Sequence, residues 1–157
     1  MGKSTTPTLQ GAIAEIQEVI RAVTGIRKAP NEPPESLNGV FPFVATYSQS
    51  GRLLIGEPSQ TITTLADIII ELHLAREKGN LERVIQQSID YVWHIPNALG
   101  NELYSGMVTG GFEHIQTWGD MDYEYGALGY DKLNTFGFRF TLRNVKLQRV
   151  IDSTSTD

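Results

Sequence analysis

The chain has 157 residues, 40% of them hydrophobic and 20% charged, with a formal net charge of -5 and no cysteine. That length supports one domain with its own core, and the missing cysteines exclude disulfides, thiolate catalysis and zinc–thiolate sites. The acidic balance argues against a protein that grips DNA phosphates, no apolar run reaches the roughly 18 residues of a membrane span, and residues 1–6 lack the apolar core of a signal peptide.

Thr6 is expected to cap a helix with Pro7 at its first position. Leu9, Ile13, Ile16, Ile20 and Val23 recur at spacings of four and three, and Gly25 supplies a stop, which predicts a helix over roughly 7–24. Residues 28–35 hold Pro30, Pro33 and Pro34 and read as an extended, irregular connector. Phe43 to Tyr47 reads as a strand, Ser48-Gln49-Ser50-Gly51 as a turn, and Arg52 to Ile55 as a returning strand. A longer strand covers about 61–75: Ile62, Ile68, Ile70, Leu72 and Leu74 lie on one face, and Thr61, Thr63, Asp67, Glu71 and His73 on the other. That alternation predicts one buried and one wet face.

Gly79-Asn80 opens a second helix over about 80–95, with the stripe Leu81, Val84, Ile85, Ile89 and Val92, and Pro96 is expected to end it. The stripe is expected to pack on Ile68, Ile70 and Leu72. Strands follow near 104–117 and near 134–147; in the latter Phe136, Phe138, Phe140 and Leu142 face one way, and Arg139, Thr141 and Arg143 the other. Trp118 to Leu133 lies between them as a long loop or hairpin arm. Residues 1–151 are expected to form a single domain, and 152–157 a disordered polar tail. The fold class is α+β: a single, mostly antiparallel sheet with two helices packed on one face.

Asp120-x-Asp122-x-Glu124, with Asp131 beyond, offers alternating carboxylates that suit Ca²⁺ or Mg²⁺. Against an EF-hand-like loop, the glycine (Gly126) falls one place late and the closing residue is not Glu. The alternative is an acidic, aromatic contact surface carrying Tyr123, Tyr125 and Tyr130, since tyrosine and tryptophan are enriched where partners dock. His73, His94 and His114 lack the local spacing of a zinc site, although a sheet would be able to bring His73 to His114. There is no Gly-x-Ser-x-Gly elbow and no phosphate loop. Gly106, Gly110 and Gly111 fit strand bulges better than a nucleotide cradle. Arg139, Arg143, Lys146 and Arg149 form the one basic group, either an inter-subunit ion-pair surface, a wall facing DNA, or the solvated side of a strand.

Three stretches, spanning about 8–147, carry a resemblance. The first is the amphipathic N-terminal helix leading through the proline-rich link to Phe41-Pro42-Phe43-Val44-Ala45. The second is Asp67-Ile68-Ile69-Ile70-Glu71-Leu72-His73-Leu74-Ala75 followed by a helix. The third is Phe136-Gly137-Phe138-Arg139-Phe140-Thr141-Leu142. The pattern resembles the lambda-type tail terminators of bacteriophages, within the wider group of neck and tail-completion proteins.

The resemblance implies a homo-hexameric ring on the last ring of the tail tube, joined to the head-connector or neck protein. Viral DNA would pass through the lumen without specific binding. It also implies a virion location, assembly in host cytoplasm, no membrane, and no catalytic residue, metal or cofactor. The residue content itself nominates the interface: Trp118, Asp120, Asp122, Tyr123, Glu124, Tyr125, Tyr130, Asp131, Arg139 and Arg143. The 118–133 loop is expected to dock on a neighbouring ring. A monomeric binding module and a metal-dependent hydrolase built on Asp120, Asp122 and Glu124 are the competing readings.

Overall fold

A computed structural model describes residues 6–26, 29, 41–56, 60–75, 86, 88–106, 110–128 and 135–151. Its elements are α1 (Leu9–Arg21), β1 (Phe43–Gly56), β2 (Thr61–Ala75), α2 (Tyr91–Ser105), β3 (Met121–Leu128) and β4 (Thr135–Val150). The strands make one antiparallel sheet in the order β1-β2-β4-β3. Both helices pack on the face that carries Ile68, Ile70, Leu72, Phe138, Phe140 and Leu142. The chain is therefore α+β, as its periodicities imply.

α1 starts two residues later than Thr6 and Pro7 suggest. Thr8 is the cap, and its hydroxyl accepts the Gly11 N–H at 3.0 Å. Ala12, Ile16, Val19 and Ile20 enter the core, whereas Ile13 is only partly buried. Gln17 is buried with them and locks the helix to β1. Its amide donates to the Val44 carbonyl at 2.9 Å, and it accepts the Thr46 hydroxyl. Of the proline-rich connector, Ala29 alone is described. It is buried, and its carbonyl accepts two hydrogen bonds from Arg21.

The expected turn at 48–51 is instead a bulge inside one long strand. Pairing steps from Ser48↔Ile68 to Ser50↔Asp67 and leaves Gln49 extra. A Cβ on Gly51 would sit 2.9 Å from the Leu65 carbonyl oxygen, so glycine permits the close strand approach there. β2 spans the expected residues, but its second face is not wet throughout. Phe43, Ala45, Ile69, Glu71, His73 and Thr135 are all buried on that far face.

Gln86 and Ser88, within the expected 80–95 helix, are helical, and a further helix, α2, follows them. α2 runs through Pro96 to Ser105 and buries Ile95, Leu99 and Glu102. Pro96 costs the Val92 carbonyl its helical partner, yet the residues beyond it keep a helical period, and Gly106 closes the helix in the left-handed conformation (φ 60). Leu81, Val84 and Ile85 fall outside the described residues, and Ile89 is 44% exposed. Leu99→Ala is expected to cost about 2–5 kcal/mol as a core truncation. Ile89→Ala should change stability by no more than about 0.5 kcal/mol. Urea unfolding of the two variants checks this, and equal losses would contradict the assignment.

Among the described residues of 104–117 there is no strand. Gly106, Gly110 and Gly111 belong to the end of α2 and the turn after it, each with positive φ, rather than to strand bulges. Glu102 accepts the Gly111 N–H at 2.9 Å, and Glu15 on α1 accepts the N–H groups of Glu113 and His114. An isolated bridge, Thr117↔Lys146, then leads into β3. Half of the expected 118–133 loop or hairpin arm is this edge strand, paired along β4 from Met121↔Leu142 to Leu128↔Thr135. β4 runs further than 147, and Asn144, with φ 55, shifts its alternation so that Val145 and Leu147 face the core. Residues 152–157 lie outside the described set.

Candidate interaction surface

β3 places the nominated residues on two faces of the sheet edge. Tyr123 and Tyr125 pair with Phe140 and Phe138, so they stand on the helix face. There they overhang the core and remain 54% and 60% exposed. Tyr125 meets Phe138 edge-on, with ring centroids 6.1 Å apart. Asp122 and Glu124 stand on the far face. Arg143 Nε donates to Asp122 at 2.7 Å and its Nη1 lies 3.7 Å from Asp67, while Arg139 Nη1 reaches Glu124 at 3.4 Å. Asp122, through its hydrogen bond and its charge, raises the Arg143 pKa further.

The arginines are thus already engaged within the chain. Asp120 is exposed just before β3, and its carbonyl accepts the Arg143 N–H at 2.9 Å. Trp118 belongs to the core margin: it is partly buried and packs edge-on against Phe112 at 5.9 Å. Tyr130 and Asp131 fall outside the described residues. An extended strand points alternate carboxylates to one side and does not wrap a cation as an EF-hand loop does. The described residues contain no metal-ligating group of three.

The histidines separate. His114 Nδ1 accepts the Thr8 N–H at 3.0 Å at the start of α1. His73 joins a buried polar cluster on the far face that the sequence reading did not assemble. Its Nδ1 lies 2.6 Å from Thr135 Oγ1, and its Nε2 lies 3.2 Å from Glu71 Oε1. Glu71 Oε2 accepts the Tyr47 hydroxyl at 2.7 Å and Arg139 Nη2 at 3.1 Å. With Nε2 protonated towards Glu71, Nδ1 is the acceptor of the Thr135 hydroxyl. The Nε2–Oε1 approach is an ion-pair distance without good hydrogen-bond alignment.

Burial pushes the Glu71 pKa up, but the His73 imidazole beside Oε1 and the hydrogen bonds from Tyr47 and Arg139 outweigh it and hold the carboxyl below its ordinary value. Burial and the Glu71 carboxylate push the Tyr47 hydroxyl up to about 12. The hydroxyl–imidazole–carboxylate order resembles a nucleophile relay, but Thr135, His73 and Glu71 are all fully buried. The cluster ties β1, β2 and β4 together. The available sequence signal was Phe43, Ala45 and Ile69, three apolar residues on the supposedly wet face.

Two further surfaces were also missed. A cleft of about 500 Å³ opens between the end of α1 and α2, lined by Val19, Val23, Tyr91, His94, Ala98 and Asn101. The outer side of α2 exposes Trp93 and Tyr104 along a row with Asn97, Gly100 and Asn101, without a charged side chain. Comparison with known protein families and with curated proteins gave no match.

Proposed function

We propose that the chain is a structural subunit of a phage neck, forming a ring at the head-proximal end of the tail tube, ending tube growth and joining the tail to the head connector. The observation that carries this reading is the sheet's two edges, which have no further strand among the described residues. β1 and β3 both end the strand order, and each bears exposed apolar or aromatic side chains: Leu53, Leu54 and Ile55 on one, Tyr123 and Tyr125 on the other. A monomer usually blunts such edges, because they template pairing with another chain. Two unlike edges suit a head-to-tail ring, whose contacts are heterologous and close on themselves.

The buried state of the Glu71–His73–Thr135 cluster supports a scaffold role over a catalytic one. The uncharged row on α2, with Trp93 and Tyr104, is suited to stacking against a neighbouring ring. The same row would serve a monomeric binding module, which predicts the mass of one subunit at every concentration. The test is to add the purified chain to growing tail tubes from the same virus. Tubes should stop lengthening and carry a ring at one end. An unchanged length distribution at molar excess would overturn the reading.

A further inference from the structure

Beyond the bulges at Ser48/Ser50 and Ala66/Ile68, the sheet continues as a three-stranded arm of residues 51–56, 61–66 and 145–150. This arm runs past the stretch of β4 that β3 covers. Leu53 pairs with Thr64, and Thr64 with Leu147; Ile55 pairs with Ile62, and Ile62 with Arg149. The Ala66–Val145 row of that face lies in the core, so Leu53 and Ile55 stand on the helix face. They are nonetheless 70% and 74% exposed. Beside them a groove of about 290 Å³ is lined by Pro7, Leu9, Ile62, Thr64, Leu147 and Arg149.

The charges of the two sheet ends are opposite. The described arm carries Arg52, Lys146 and Arg149 and no carboxylate. Residues 118–128 carry Asp120, Asp122 and Glu124 and no cation. Arg139 and Arg143 neutralise that end only in part, because they also face Glu71 and Asp67. The two edges also agree in phase. Along β1, Arg52 and Leu54 face the far side, and Leu53 and Ile55 the helix side. Along β3, Asp122 and Glu124 face the far side, and Tyr123 and Tyr125 the helix side.

We propose that the β1 arm of one copy pairs edge to edge with β3 of the next, continuing the sheet from subunit to subunit. In that arrangement Leu53 and Ile55 fall beside Tyr123 and Tyr125, and Arg52 falls beside the Asp122 and Glu124 row. Backbone hydrogen bonds complete both open edges, and the apolar pairs and the opposite charges select this partner edge over a second copy of the same edge. The inference rests on the ring reading for closure. The contact itself is read in purified protein with no tail component, so failure to cap tails and failure of this contact are separate results.

The experiment uses an arm variant, Arg52→Glu with Leu53→Asp, and an edge variant, Tyr123→Asp. Light scattering of each alone should show self-association weakened at least tenfold. An equimolar mixture should give two-subunit particles and nothing larger, since one intact arm then meets one intact edge. A monomeric mixture, with both variants melting as the parent does, would overturn the proposal. So would an arm or edge variant that still associates fully.

Because the chain has no cysteine, trapping supplies a second measurement that does not need those variants to fold. Leu54→Cys is combined in turn with Asp120→Cys, Asp122→Cys or Glu124→Cys; Leu54, Asp122 and Glu124 stand on the far face, and Asp120 directly precedes β3. At least one pair should give a disulfide-linked ladder on a denaturing gel after mild oxidation, while Leu54→Cys alone forms no covalent dimer. No ladder from any of the three pairs, or dimers from Leu54→Cys alone, would refute head-to-tail pairing.

Discussion

Glu71→Ala is expected to cost about 3–5 kcal/mol, the usual loss when one partner of a buried ion pair is removed. Glu71 is fully buried, and both of its oxygens are engaged: Oε1 faces His73 Nε2 at 3.2 Å, and Oε2 accepts from Tyr47 and Arg139. Deleting the carboxylate strands donors from two other strands, and each buried donor left unsatisfied carries its own desolvation cost. Glu71→Gln should lose less, because an amide oxygen still accepts from Tyr47.

The same cluster sets a pH dependence. Glu71 has a depressed pKa in the fold, so its contribution is complete above its ordinary value of 4.5 and is lost as pH falls through the lowered value. Tyr47 has a raised pKa, so its contribution is complete below 10.0 and is lost as pH rises towards about 12. Urea midpoints measured across both ranges check this. An Ala variant within about 1 kcal/mol of the parent, the scale of an exposed pair, would show that the cluster is not structural.

Gly137→Ala is the second large effect, and here the cause is space. Gly137 pairs with His73 on β2 and with Gly126 on β3. An added methyl would overlap the Leu72 carbonyl oxygen, a backbone atom that cannot rotate away. The β2–β4 pairing must open to admit it, so the loss should reach or pass the upper end of the roughly 1–3 kcal/mol typical of overpacking. Gly100→Ala is the opposite case. Nothing lies near its Cβ position inside α2, and alanine should stabilise the helix by up to about 1 kcal/mol. Thermal melts of both variants check the pair of signs, and a neutral Gly137→Ala would contradict the packing described.

The sequence made the two central strands legible because their alternation is long. The alternation over about 61–75 matches β2, and Phe136, Phe138, Phe140 and Leu142 share one face of β4 as their spacing implies. Shorter signals were ambiguous for physical reasons. Serine and glycine at 48–51 suit a bulge as well as a turn. Pro96 biases its neighbour away from helix but does not forbid one when Leu99 and Glu102 gain burial beyond it. β3 reads from sequence as either a loop or a hairpin arm, because Asp122, Glu124 and Gly126 have poor strand propensity. The alternation of Tyr123 and Tyr125 with those acids was nevertheless present. The buried Glu71–His73–Thr135 cluster depends on β2–β4 register, which composition does not reveal.

The most direct test of the ring-subunit account is the solution mass of the wild-type chain over a wide concentration series, with negative-stain images of the same samples. The account predicts a mass that rises to a single closed oligomer and rings of uniform diameter. One-subunit mass throughout, with no rings in the images, would contradict it.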